Sequence, residues 1–154
     1  MELLNKMPLE LSTFSYVKFR LERYDFLITI SKVFEIIALR DPLTLLPKTS
    51  PLVRGLAPLR GKLIFILDLR LILDLPPLFQ QREYCIVSSQ KDRYVGLIVD
   101  QVLEVCSYPL EDFEEVSSST LPPPFLHYKI SKKIKDSPTF LLPLEKMLEN
   151  LSFF

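Results

Sequence analysis

His127 is the single histidine of the 154 residues and sits in the segment FLHYK, just after a proline cluster. General-base work or zinc binding would be its natural chemistry. Zinc, however, takes about four ligands from a compact set of Cys, His and carboxylates, and neither cysteine lies near His127 in sequence. Cys85 in EYCIV and Cys106 in LEVCS lie inside apolar runs, where a free cysteine behaves as a small hydrophobe. Nothing beside either thiol in sequence would lower its pKa and make it reactive. A serine nucleophile has no anchor, because no G-x-S-x-G occurs and no serine adjoins a glycine. With only Gly55, Gly61 and Gly96 in the chain, neither phosphate-cradling glycine pattern can be written. Asp68, Asp74, Asp100 and Glu104 could supply an acid and a base, but their spacings match no mechanism and surface carboxylates are expected. The residues predict no catalytic, metal or cofactor site.

Nineteen basic and nineteen acidic residues cancel, so no overall field draws the chain to nucleic acid or to an anionic membrane. Whatever it binds must be recognised by local shape and local charge. The length and the 48% hydrophobic content fit one globular domain with a sizeable core. Glu2, Lys6 and Glu10 interrupt the leucines of the first residues, unlike a signal peptide. The apolar run LIFIL at 63–67 is followed by Asp68 and Arg70 and falls far short of the ~20 residues of a membrane span. A cytoplasmic protein without membrane insertion is expected.

The elements that would position any site are mostly strands. Segments 16–21, 26–30, 33–38, 63–67, 84–88, 94–99, 102–106 and 139–142 are rich in Val, Ile, Phe and Tyr and are bounded by turn chemistry or charge. Hairpins are expected to turn at Glu22-Arg23-Tyr24-Asp25 and at Gln90-Lys91-Asp92-Arg93, each opening one half of the chain. The clusters LPPLF at 75–79 and LPPPF at 121–125 cannot occupy central strands and read as connections. The first marks a boundary between halves. A weak repeat accompanies this division, ISKVFEII in the first half and VDQVLEV in the second, which suggests a tandem of two small β units. One helical turn is expected near 31–35. At the end, Pro143 suits a first helical position, and Leu144, Met147, Leu148 and Leu151 recur at helical spacing.

Two of the three glycines fall in GLAPLRGKLIFILDLR at 55–70, and the third in YVGLIVDQV at 94–102. The first stretch resembles the signature of the CheW-like family, the coupling domain of bacterial chemosensory arrays, in Gly55, Leu59, Arg60, Gly61, Asp68, Leu69 and Arg70. The second resembles that family's V-G-x-x-V-D-x-V run, and Val33-Phe34-Glu35-Ile36 its V-x-E-I. Pro58 stands where the family usually has asparagine, and Phe65 where proline is common.

The resemblance covers about residues 15–148 and implies two SH3-like, five-stranded β-barrels packed side by side with a short C-terminal helix. It places the first barrel at about 15–75, the second at 83–142, the helix at 143–151 and a preceding segment at 1–14. It further implies a non-catalytic adaptor that couples chemoreceptor tip helices to a CheA-type histidine kinase through the kinase's own CheW-like regulatory domain, in membrane-associated arrays. A CheW-like scaffold of another two-component or motility pathway is the alternative. By the same resemblance, Arg60 pairs with Glu35 at a partner-binding loop, with Gly55 alongside. Val33, Gly96, Val102 and Val105 line a groove for receptor helices, and Leu39, Leu43 and Leu56 face the kinase.

Overall fold

The computed structural model describes residues 13–39, 43, 52–77, 83–90, 92–115, 128–130 and 139–149. The chain is mainly β, and each of the eight expected strand segments coincides with a strand, those at 26–30 and 139–142 running one residue past its end. They are β1 (Thr13–Leu21), β2 (Tyr24–Thr29), β3 (Val33–Leu39), β5 (Lys62–Asp68), β6 (Glu83–Gln90), β7 (Arg93–Val99), β8 (Gln101–Pro109) and β11 (Thr139–Leu141). Sequence reading passed over β4 (Val53–Leu59), β9 (Phe113–Glu115) and β10 (Tyr128–Ile130), and also the short helix α1 (Leu69–Ile72). The first hairpin closes two residues earlier than expected, with Leu21 opposite Tyr24, because Glu22 takes the left-handed turn position at φ +56° and frees Tyr24 and Asp25 for the ladder. In the second hairpin Gln90 pairs with Arg93. The turn expected near 31–35 is a 3₁₀ turn at Ile30–Lys32.

The strands form a six-stranded sheet in the order β8-β1-β2-β11-β10-β9 and a five-stranded sheet in the order β3-β6-β7-β5-β4. The expected two SH3-like β units with a short C-terminal helix are present, and among the described residues they are sheets of six and five strands where five each were expected. Neither sheet follows a half of the sequence. The β1–β2 hairpin belongs with β8 to β11, and the β6–β7 hairpin belongs with β3 to β5. Each half of the chain therefore lends its opening hairpin to the other half's sheet. The joins are antiparallel where the crossing strand enters, β8 on β1 and β3 on β6, and parallel on the far side, β11 on β2 and β5 on β7. The repeated segments ISKVFEII and VDQVLEV cover the beginnings of the two crossing strands β3 and β8, so the weak repeat marks the exchange.

The faces that meet carry the main core. Phe19, Leu21, Phe26 and Ile28 of one sheet pack with Leu67, Ile86, Val95 and Leu97 of the other, and the Phe19 and Phe26 rings stack at 5.6 Å. α2 (Leu144–Glu149) buries Leu144, Met147 and Leu148 in the same cluster; Leu151, expected on that stripe, lies outside the described residues, as do residues 1–12 and His127. Each sheet has a further cluster of its own. Tyr16 and Leu27 gather Tyr108, Phe113 and Leu141. In the five-stranded sheet Ile64, Ile66, Cys85, Val87 and Ile98 gather Ile37 and Leu39 from β3 and Ala57 and Leu59 from β4. Those last two strands are opposite edges, so the sheet rolls over its own cluster in the SH3-like manner. Strand β7 is covered on both faces, which explains its nearly unbroken apolar run.

Edge position also explains why β4 escaped sequence reading. Pro58 needs no ladder donor on an edge strand and is exposed there. Gly55, at φ +149°, falls where the β4–β5 register shifts, as a bulge requires.

Candidate functional site

The site begins at the turn between β4 and β5. Leu59 pairs with Lys62, leaving Arg60 and Gly61 as a two-residue loop with φ of +49° and +78°. Two left-handed residues in succession are what a type I′ hairpin turn demands. Glycine meets this freely and arginine only at a conformational cost, so the chain holds Arg60 in a strained position. The turn aims its guanidinium across the mouth of the rolled sheet at Glu35 on β3. Arg60 Nη2 donates to Glu35 Oε1 at 2.8 Å and Nε donates to Oε2 at 3.3 Å. The pair bridges β3 and β4, the two edge strands of the five-stranded sheet among the described residues. The Arg60 hydrogen bond holds the Glu35 carboxyl below the usual carboxylate range, and the same bond raises the Arg60 guanidinium. The Arg60 side chain is 70% exposed and that of Glu35 25%, so the pair adds little stability.

Beside it lies a notch of about 90 Å³ lined by Phe34, Leu59, Arg60, Lys62, Ile64 and Tyr94. The Phe34 and Tyr94 rings meet at 4.8 Å, and Lys62 Nζ sits 4.6 Å from the Tyr94 ring centroid. Of these lining residues, sequence reading singled out Arg60 as a site residue and missed Phe34, Lys62 and Tyr94. Lys62 follows the signature turn directly and was within reach of inspection, whereas Phe34 and Tyr94 are joined only by the fold.

The other expected site residues divide. Val33 and Val102 are partly buried at the margin of the main core, and Val105 is 63% exposed. Leu39 and Leu43 pack partly buried against the cluster of the five-stranded sheet, and Leu56 is half-buried opposite Phe65. Gly55 and Gly96 are both buried. A Cβ on Gly96 would lie 2.5 Å from Cys85 Sγ and 2.6 Å from Ile66 Cδ1, so the glycine permits β6 and β5 to close on β7. Gly96→Ala is expected to cost about 1–3 kcal/mol by overpacking, and adding Cys85→Ala should recover part of it. Denaturant midpoints check this; an unchanged midpoint for Gly96→Ala overturns the packing role.

A second charged assembly gathers at the other end of β5. Arg70, on α1, is 5% exposed and donates through Nε to Asp100 Oδ1 at 2.8 Å and through Nη2 to Asp100 Oδ2. Its Nη1 donates to Glu22 Oε1 and to the Pro76 carbonyl at 2.6 Å. The Glu22 amide donates to Asp100 Oδ2 at 2.8 Å. Asp100 leads the causes that raise the Arg70 guanidinium. Asp68 caps α1, its Oδ1 accepting from the Arg70 amide at 2.9 Å and its Oδ2 from Arg54 Nη1 at 3.1 Å. The expectation of surface carboxylates thus fails for Asp68, which is 8% exposed, and for the half-buried Asp100; Glu104, exposed and 3.3 Å from Lys18 Nζ, meets it. Cys85 is buried, and burial raises the pKa of the half-buried Cys106. Among the described residues no helix is long and apolar enough to cross a membrane.

Comparison with known proteins bears on the whole arrangement. The family described as the CheW-like domain matches residues 15–152. Protein PilI of Pseudomonas aeruginosa is 35% identical over 124 residues, a match that takes in 75% of this chain and 66% of that protein. The crystal structure of the scaffolding protein TtCheW from Thermoanaerobacter tengcongensis superposes with a TM-score of 0.77 over 88% of this chain and 92% of that one. Its 23% identity makes that likeness one of fold.

Proposed function

This chain belongs to the CheW-like family, and from that premise we propose that it is a non-catalytic adaptor coupling chemoreceptor tip helices to a CheA-type histidine kinase. The observation that carries the reading is the Glu35–Arg60 pair. It is exposed, contributes little to stability, and is presented by a turn that arginine occupies at a cost. Such a residue fits a role in specificity, because exposed charge arranged at an interface selects partners and register more than it adds affinity. The kinase's CheW-like regulatory domain meets the rolled sheet around Arg60, Leu39, Leu43 and Leu56. Receptor helices lie along the apolar margin that includes Val33, Val102 and Val105, a helix-in-groove mode. The protein works in the cytoplasm and is recruited to membrane-associated arrays by these contacts.

Purified protein should bind both an isolated kinase regulatory domain and receptor tip helices; a folded sample that binds neither overturns the reading. Arg60→Glu should weaken one partner while leaving the thermal midpoint nearly unchanged, and Glu35→Arg combined with Arg60→Glu should restore part of the binding. Unaltered affinity for both partners removes the pair from the interface.

A second reading, a CheW-like scaffold serving another two-component or motility pathway, draws on the higher identity to Protein PilI, 35% against 23% for the TtCheW scaffold. A pull-down from native lysate, with kinases and receptors identified by mass, separates the two.

A further inference from the structure

We propose that the notch beside Arg60 receives an acidic–aliphatic step of a protein partner, a carboxylate next to a leucine-sized side chain, with Lys62 as the residue that selects the acid. The inference rests on the adaptor reading and specifies what that surface recognises. The floor of the notch is Ile64, which is 1% exposed. Its walls are Leu59 and the Phe34 and Tyr94 rings, with Phe34 itself 48% exposed. The volume of about 90 Å³ is below the roughly 150 Å³ that accommodates a benzene ring, so the occupant is one aliphatic side chain.

The rim carries two cations and one anion. Glu35 takes Arg60 in a two-point contact, which leaves Lys62 with an aromatic face and no carboxylate among the described residues. The net charge at the lip is therefore positive. An ammonium resting on a ring at an exposed site gains little from the ring and remains available to a carboxylate arriving with the apolar anchor. The hairpin turn fixes the spacing, since Arg60 and Lys62 flank Gly61, around which a Cβ would meet nothing within 4 Å. A partner backbone can approach closely there.

The probes are capped, glycine-flanked peptides carrying Asp-Leu, Asn-Leu or Asp-Gly, titrated into isotope-labelled full-length protein while the Tyr94 ring and Lys62 ammonium signals are followed. Asp-Leu is expected to shift both. Asn-Leu should bind about fivefold more weakly, the upper range for an exposed ion pair, and Asp-Gly about tenfold more weakly from the lost apolar burial. Lys62→Gln, an exposed change that leaves the core alone, should bring Asp-Leu down to the level of Asn-Leu. Equal binding of Asp-Leu and Asn-Leu, Asp-Leu binding unchanged in Lys62→Gln, or no shift up to the peptide's solubility limit overturns the proposal. The titration uses neither kinase nor receptor. Its failure therefore leaves the adaptor reading standing, and the two failures are told apart.

Discussion

Arg70→Ala is expected to lower stability by about 3 kcal/mol, with the denaturant midpoint falling at unchanged slope. Breaking a buried charge pair by removing one partner typically costs about 3–5 kcal/mol, because the remaining charge is left uncompensated. The lower end applies here since the Glu22 side chain is 38% exposed and that of Asp100 16%, so water can reach what the guanidinium abandons. Over a domain of this size the thermal midpoint should drop by roughly 10 °C. The effect reaches further than one pair. Arg70 holds Asp100 after β7, Glu22 at the first hairpin turn and the Pro76 carbonyl where the chain leaves its first half, so its loss unpins three segments together. Arg70→Lys should fall in between, because an ammonium keeps the charge without the planar fork that serves several acceptors. A loss below about 1 kcal/mol for Arg70→Ala, the range of an exposed pair, overturns the structural role.

The second large effect concerns the sheets. Fragments 13–77 and 83–149, prepared separately, are each expected to show no cooperative unfolding transition. Within 13–77 the strand pairs that remain are β1 with β2 and β4 with β5; β3 loses β6, β5 loses β7, β1 loses β8 and β2 loses β11. Isolated two-stranded hairpins are marginal in water. Mixed at equal concentration, the fragments should regain β-sheet circular dichroism and a single transition, since the exchanged hairpins can find their sheets. A cooperative transition in 13–77 alone would show that the first half is self-sufficient after all.

That exchange is also where sequence reading stopped. Local pattern revealed the strands with alternating or continuous apolar character, the C-terminal helix and the two hairpins, because those signals lie within a few residues of one another. It could not reveal β4, whose Gly55 and Pro58 look like turn residues until the strand is known to be an edge. Nor could it assign each hairpin to the opposite sheet, because pairing partners such as Val17 and Val105 carry no mutual mark in one sequence. At the site, the resemblance led to Arg60 and Glu35, and the geometry joins them. The Arg70–Asp100 contact joins two signature motifs, but burial that turns a pair of ordinary charges into one assembly is a property of the folded chain. Gly96 was legible as a special residue in a motif, but that it clears room for Cys85 and Ile66 is visible only once β5, β6 and β7 are side by side.

Strand exchange also sets an order of events during synthesis. The first hairpin leaves the ribosome long before β8 and β11 exist, and β3 and β5 wait for β6 and β7. Each early strand therefore presents an unsatisfied edge while translation continues. Pairings this distant along the chain are slow to form and exposed to aggregation in the interval. Among the described strands it is β11, the last in chain order, whose release lets β2 gain its second neighbour and the six-stranded sheet close up.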